Sequence, residues 1–127
     1  MREILFRGKR LDNGEWVYGS LSMEYFTECG CVMISPTSDT CYKVIPETVG
    51  QYVEKNDKYG KKIFEGDILL KDNEMRVIYY YPTFAMYMMT KLQRGGATNG
   101  MYTPIFECKV IGNIHDNPEL LEGGTAQ

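Results

Sequence analysis

Two carboxylates flank a single glycine at Glu65-Gly66-Asp67, inside an otherwise apolar stretch of residues 63–70. Such a pair could bind a cation or share acid/base catalysis. One acidic pair without further ligands seldom forms a site, however, and a glycine inside an apolar stretch favours a bend where a strand begins. We therefore expect Asp67 to accept hydrogen bonds from nearby backbone N–H groups.

The single histidine, His115, stands near polar side chains that could orient an imidazole, namely Asn113, Asp116 and Asn117. A histidine that acts as a general base or a metal ligand needs a nucleophile or further ligands. Serines such as Ser20 lie in no recognisable nucleophile motif. We therefore interpret His115 as a surface residue in a turn.

Four cysteines are present, and their spacing argues against a metal site. Zinc sites usually take their ligands as two close pairs with two to four residues between the members. Cys29 and Cys31 are separated by one residue, Cys41 follows ten positions later, and Cys108 is distant in sequence. We expect all four to behave as small hydrophobic residues in strands, with no metal and no other cofactor.

Tyrosine and methionine dominate residues 79–81 and 86–89. In an extended strand Tyr79 and Tyr81 point to one face and Tyr80 to the other, so one core cannot hold them all. Exposed tyrosine and methionine beside an arginine are typical of protein interfaces, while burial in a core and stacking on nucleic-acid bases are the alternatives. The predicted interface residues are Arg76, Tyr79, Tyr81, Tyr87 and Met88, with Arg76 at the rim.

Many short strands are expected to position these residues, because aromatic and β-branched residues alternate between glycine and proline breaks. Asp12-Asn13-Gly14 is a hairpin turn signal. The glycine-rich segment 93–100 is expected to be a loop, and it lacks the Lys-Ser/Thr ending of a phosphate loop. Asn117 is expected to cap a last helical turn that Pro118 begins. The predicted strands are 4–6, 15–21, 29–35, 42–45, 48–53, 63–70, 75–81, 84–92 and 104–114.

Composition and charge limit the classes of function. The 127 residues are 43% hydrophobic and 24% charged, which is typical of a folded globular chain. The net charge of −3 disfavours a strongly basic nucleic-acid binder and a polybasic membrane-surface protein. Because the apolar runs are only a few residues long, we expect no membrane span and no signal peptide, and hence a cytoplasmic protein.

Three segments of the chain, residues 1–7, 48–68 and 110–121, resemble the YopX family, which consists of small proteins of bacteriophages and prophages. The middle and closing segments are the specific ones. The resemblance implies an all-β fold with an SH3-like barrel element and a phage-encoded protein of the bacterial host cytoplasm, and it carries no catalytic residue to transfer. Two positions depart from the family pattern: Tyr59 precedes Gly60 in the middle turn, and His115 stands where tyrosine is common.

We predict one all-β domain over residues 1–122, a small bent barrel with several hairpins and a short C-terminal helical turn, followed by a frayed tail at 123–127. The predicted function is that of a non-enzymatic protein-interaction module. Its partner would be a second copy of itself, as a homo-oligomer, or a phage or host protein. A single-stranded nucleic-acid-binding accessory protein is the alternative, and a small enzyme is the least favoured interpretation.

Overall fold

Most of the described residues lie in strands, which confirms the predicted all-β class with a curled sheet, several hairpins and a short C-terminal helical turn. The computed structural model describes residues 4–23, 32–72, 74–81, 86–93, 96–99 and 107–122. The elements are β1 (Phe6–Lys9), β2 (Trp16–Met23), β3 (Val32–Thr37), β4 (Thr40–Val44), a 3-10 turn (Pro46–Thr48), β5 (Gly50–Asn56), β6 (Lys62–Phe64), β7 (Asp67–Lys71), β8 (Glu74–Tyr81), β9 (Met86–Gln93), β10 (Gly96–Asn99), β11 (Lys109–Asn113) and α1 (Glu119–Glu122).

Contacts within the chain divide it into two compact units, Met1–Tyr52 and Val53–Gln127. The predicted single domain over 1–122 and tail over 123–127 stay predictions, because the tail lies outside the described residues. No helix in the described part of the chain is long and apolar enough to cross a membrane.

In the first unit, antiparallel strands follow the order β4-β3-β2-β1, and β5 lies next to β1. The predicted turn after β1 is confirmed, and Gly14 donates its N–H to the Arg10 carbonyl at 2.9 Å. Successive residues of a strand point to opposite faces, so one face of this sheet can be apolar while the other is polar. The apolar face carries a core of Val32, Ile34 and Val44, packed against Phe6, Val17, Leu21 and Val49.

In the second unit, five strands follow the order β10-β9-β8-β7-β11, all antiparallel. Buried residues lie on both sides of β7 and β8, because the neighbours Ile68 and Leu69 and the neighbours Val77 and Ile78 point to opposite sides and are all buried. One buried cluster contains Ile63, Leu69, Ile78 and Cys108. The other contains Ile68, Met75 and Val77, against which Tyr79, Ile111, Ile114, Leu120 and Leu121 pack.

Several strand boundaries in the first unit differ from the sequence prediction, as at Thr48, which was predicted to begin a strand and lies in the 3-10 turn. Two further differences lie at the start of β1 and near the end of β3. The first strand starts at Phe6 and Ile4 is 63% exposed, although the Leu5 carbonyl still accepts a hydrogen bond from the Tyr52 N–H at 2.8 Å. Pro36, predicted to end a strand, lies inside β3, where the register with β4 shifts between Ile34 and Thr37. A bulge of this kind accommodates a proline because it interrupts the ladder of hydrogen bonds.

The largest difference lies in the glycine-rich segment. Residues 96–99 form β10 instead of a loop, with Gly96 opposite Gln93 and Asn99 opposite Thr90 on β9. Composition predicts a loop here, but pairing with an existing strand satisfies the backbone groups regardless of side-chain propensity. The strand predicted for the Met-rich segment is confirmed, because β9 forms there and pairs with β8. Residues 29–31, 84–85 and 104–106 of the predicted strands lie outside the described residues.

Candidate functional site

The acidic pair around Gly66 serves the fold. Asp67 is 1% exposed, and its Oδ2 accepts a hydrogen bond from the backbone N–H of Phe64 at 2.8 Å, which confirms the expected backbone bonding. Gly66 takes φ +91°, a conformation that favours glycine. Its N–H donates to the Ile78 carbonyl at 2.8 Å, and its carbonyl accepts from Ile114 at 2.9 Å. The bend therefore joins β7, β8 and the closing segment of the chain.

The turn around His115 is organised by Asn113, which is 9% exposed. The Asn113 Oδ1 accepts hydrogen bonds from the backbone N–H groups of His115 at 3.0 Å and Asp116 at 2.9 Å. The Asn117 Oδ1, predicted to cap the helical turn, accepts instead from the Asn113 backbone N–H at 3.2 Å. His115 thus lies in a turn, as predicted, and the polar residues beside it hold the backbone of that turn.

Asp57 is a buried carboxylate that the sequence analysis did not single out. It is 6% exposed, and its Oδ1 accepts from Tyr59 and Lys61 backbone N–H groups, each at 2.9 Å. Its Oδ2 accepts from the Val110 N–H at 3.1 Å. Burial acts to raise the pKa of this carboxyl, but these backbone donors hold the pKa below its usual range. The Asp-x-x-Gly pattern of residues 57–60 was the sequence signal that could have identified Asp57. Its hydrogen bond to β11 spans 53 residues, so local spacing does not indicate it.

The described cysteines do not form a metal site. Cys41 is exposed and Cys108 is buried, while Cys29 and Cys31 lie outside the described residues. Across the described ranges, no group of three or more His, Cys, Asp or Glu side chains could hold a metal ion.

The two described thiols should differ strongly in reactivity. Burial raises the pKa of the Cys108 thiol, so it holds less reactive thiolate than an exposed cysteine does. We expect iodoacetamide to label Cys41 in the folded protein and Cys108 only after unfolding in urea, as measured by peptide mass spectrometry. Labelling of native Cys108 at the rate of Cys41 would contradict the burial of Cys108 and show that the cluster around it opens readily.

The hairpin of β8 and β9 carries the predicted interface residues. Because directly opposed residues of antiparallel strands occupy the same side of a sheet, the register assigns each position to a side. Positions 79, 81 and 88 fall on one side, and positions 76, 80 and 87 fall on the other. The predicted set is therefore divided between two sides. The pairs are Tyr79 with Met88, Tyr80 with Tyr87, and Tyr81 with Met86.

The described side chains of this hairpin differ in exposure. Arg76 is 6% exposed and does not lie at a rim, because its guanidinium turns back to Glu74, with Nη2 at 2.8 Å from the carboxylate. Tyr79 is half-buried against the cluster of Ile68, Met75 and Val77. Tyr80, which the prediction left out, is 43% exposed. The side chains of Tyr81, Tyr87 and Met88 lie outside the described part of the structure.

Two clefts of about 400 Å³ each lie elsewhere. In the first, a hydrogen bond from Arg10 holds the pKa of Asp12 below its usual range. In the second, a hydrogen bond to Glu107 raises the pKa of Lys71. The first is lined by Leu11, Asp12, Cys41, Tyr42 and Lys43. The second is lined by Lys58, Leu70, Lys71, Asp72, Glu107 and Lys109.

Comparison with known proteins concerns the middle and closing segments of the chain, which the hydrogen bonds of Asp57 and Gly66 connect. No curated protein matches the chain significantly. The family model described as YopX protein matches residues 5–122, nearly the whole chain. The match includes the middle segment with Asp57 and Gly66 and the closing segment with Val110 and Ile114, which the structure joins by hydrogen bonds. The chain therefore belongs to the YopX family.

Proposed function

We propose that this protein is a non-enzymatic protein-interaction module, encoded by a phage or prophage, that acts in the bacterial host cytoplasm. Its contact surface is the hairpin of β8 and β9, and its partner is a second copy or a phage or host protein. The observation that carries the proposal is the 43% exposure of Tyr80 on a strand whose preceding residues Val77 and Ile78 are fully buried.

A tyrosine in this position suits a protein interface. Its ring offers a large contact area at low entropic cost, and tyrosine is enriched among residues that dominate binding energy. The strand beneath it is fixed, because Ile78 packs with Ile63, Leu69 and Cys108. Little freedom is therefore lost when a partner covers Tyr80, which favours affinity.

Two charged groups of the clefts, Asp12 and Lys71, support a non-enzymatic role. General acid/base catalysis is most efficient when a group has its pKa near the working pH. The pKa of Asp12 is lowered, and the pKa of Lys71 is raised. Both shifts move the pKa further from neutral pH, where the two groups therefore stay ionised. Neither group is adjusted to exchange a proton at that pH.

Site-specific photocrosslinking tests the proposal. A photoreactive phenylalanine analogue at position 80 is expected to give adducts of defined mass with a protein in the bacterial host. The same analogue at position 59 is the matched control, since Tyr59 is also an exposed tyrosine of the second unit, at 70%. Equal adducts at both positions, or none at position 80, would refute the proposal. An adduct that nuclease removes would favour the nucleic-acid alternative at this hairpin.

A further inference from the structure

The second of the two clefts, lined by Leu70 and charged residues and called the lysine cleft below, is built from separate parts of the second unit. Lys58 comes from the turn after β5, Lys71 ends β7, and Lys109 begins β11. Lys109 lies opposite Leu70 in the ladder, so both occupy the same side of the sheet. The backbone N–H of Lys58 donates to the Cys108 carbonyl at 3.0 Å. Hydrogen bonds therefore hold together the backbones that carry the three lysines.

The charge of the lysine cleft differs in sign from that of the whole chain, which is −3. Its described lining contains three lysines but only two acidic residues, Asp72 and Glu107. The Glu107 carboxylate lies 2.5 Å from the Lys71 ammonium and compensates that charge. Within the described part of the chain, no carboxylate lies within ion-pair distance of the Lys58 or Lys109 ammonium. Both of these lysines are exposed, so an anion can reach them.

The groups next to Lys58 do not compensate its charge. The Lys58 ammonium lies 5.2 Å from the centroid of the Tyr59 ring, and both residues are exposed. A cation–π contact at an exposed site is weak. The preceding Asp57 is buried, and its carboxylate oxygens accept hydrogen bonds from the backbone N–H groups of Tyr59, Lys61 and Val110. An anion that enters the cleft therefore meets a cation that still lacks a partner of opposite charge.

We propose that the lysine cleft binds a small phosphate monoester, with Lys58 and Lys109 as contacts of the phosphate group and Asp72 as the acceptor of a ligand hydroxyl. Lysine binds phosphate as a point charge, whereas arginine is the residue suited to bidentate recognition of a carboxylate. None of the described residues that line the cleft is an arginine. A phosphate monoester carries about 1.5 to 2 negative charges at neutral pH, which two ammonium groups balance.

The size and the remaining lining of the cleft favour a ligand larger than the phosphate group itself. The cleft volume of about 400 Å³ lies within the range of about 300–1,000 Å³ that is usual for small-molecule sites. Leu70 supplies an apolar contact, and the exposed carboxylate of Asp72 accepts hydrogen bonds. A phosphorylated sugar offers hydroxyl donors and C–H surface to these two residues, so a sugar phosphate is the class of ligand that fits best.

Titration of the isotope-labelled protein with ribose 5-phosphate, followed by NMR, tests the proposal. The amide signals of Lys58, Lys71 and Lys109 are expected to shift with a common dissociation constant. Inorganic phosphate should bind more weakly, and ribose without a phosphate group should not bind. Absence of these shifts at low ionic strength, where charge contacts are least screened, would overturn the proposal. Tighter binding of an oligothymidylate than of ribose 5-phosphate would also overturn it and would favour a nucleic-acid ligand.

Lysine variants test the two phosphate contacts. Lys58→Gln and Lys109→Gln are each expected to weaken binding of ribose 5-phosphate about fivefold, the upper value for an exposed ion pair. Lys55→Gln is the matched control, because Lys55 is also an exposed lysine of the second unit and does not line the cleft. Equal weakening by all three variants would show a general effect of net charge and would overturn the proposal.

An Asp72→Asn variant is expected to act in the opposite direction. Inorganic phosphate should bind more tightly, because the variant removes a repelling carboxylate from the cleft. The preference for ribose 5-phosphate over phosphate should narrow, since a neutral acceptor makes a weaker hydrogen bond than a charged one. Asn tolerates the positive φ of 52° at this position, so the thermal midpoint should not change. Weaker phosphate binding by this variant would contradict the assigned role of Asp72 and overturn the proposal.

The lysine cleft and the hairpin of β8 and β9 are tested independently. Tyr80 is not among the described residues that line the cleft. Crosslinking from position 80 and phosphate binding at Lys58 and Lys109 are therefore separate measurements, and failure of either proposal leaves the other standing.

Discussion

Replacement of Asp57 by alanine is expected to lower the free energy of unfolding by about 3–5 kcal/mol, because it removes the charged acceptor of three part-buried hydrogen bonds from backbone N–H groups. These donors are the N–H groups of Tyr59, Lys61 and Val110. Domains of this size are stable by about 5–15 kcal/mol, so the loss is a large fraction of the total stability. Urea denaturation measures the loss, and amide hydrogen exchange at Lys61 and Val110 should accelerate.

Two control variants separate the carboxylate from the turn. Asp57→Asn keeps an oxygen that can accept from Tyr59 and Lys61, but it turns an NH₂ group toward the Val110 donor, so an intermediate loss is expected. Asp39→Ala removes an exposed aspartate from another turn and should change stability by less than about 0.5 kcal/mol. If Asp57→Ala were as mild as Asp39→Ala, the bond between the turn and β11 would contribute little.

The pH dependence of the same carboxylate has a defined sign. The pKa of Asp57 in the folded protein lies below its ordinary value of 3.8, which also approximates the unfolded chain. Its contribution to stability is therefore complete above the unfolded pKa and is lost as the pH falls through the folded pKa. Wild type should lose stability in acid more steeply than Asp57→Asn does.

Local pattern was sufficient to predict the strands and most turns. The alternation around Trp16, the Asp12-Asn13-Gly14 turn and the apolar runs of β7 and β8 depend on neighbours within a few residues, which the sequence displays directly. β10 was not predictable in this way, since its glycine-rich residues 96–99 become a strand through pairing with β9. The position of a strand in a ladder is a tertiary property, and composition does not encode it.

The candidate surface residues show the same limit, which is that local pattern does not reveal tertiary position. Alternation separated Tyr80 from Tyr79, but only the packing of the second unit shows which of them is exposed. The sequence predicts Arg76 at the rim of an interface, whereas the structure shows it 6% exposed, with its guanidinium paired to Glu74. The contacts of Arg7 and Lys9 with the Trp16 ring were not predictable from local spacing, because the two cations come from β1 and the ring from β2. Register is required to bring them to one side.

The segments that identify the family maintain the fold of the second unit. Asp57, Gly66 and Asn113 use their polar groups on backbone partners, and Gly66 and Ile114 join the middle segment to the closing one. Residues committed to such bonds are not available to a ligand. Functional contacts are therefore expected mainly on surfaces outside these segments, which is where Tyr80 lies.

Replacement of Gly19 by alanine is expected to destabilise the first unit by about 3 kcal/mol or more, through steric overlap with backbone atoms. A Cβ at this position would lie 2.1 Å from the Ser35 carbonyl oxygen and 2.8 Å from the Pro36 nitrogen. Both atoms belong to the bulged part of β3, where the chain cannot withdraw without losing its pairing with β2. Thermal and urea denaturation measure the effect, and hydrogen exchange should show the loss of β2–β3 protection first.

The neighbouring Ser20→Ala variant is the control, because Ser20 is exposed and its side chain points away from the core. It should leave stability within about 0.5 kcal/mol of wild type. Wild-type stability of Gly19→Ala would mean that β3 yields at its bulge and that the close approach of the two backbones is not required.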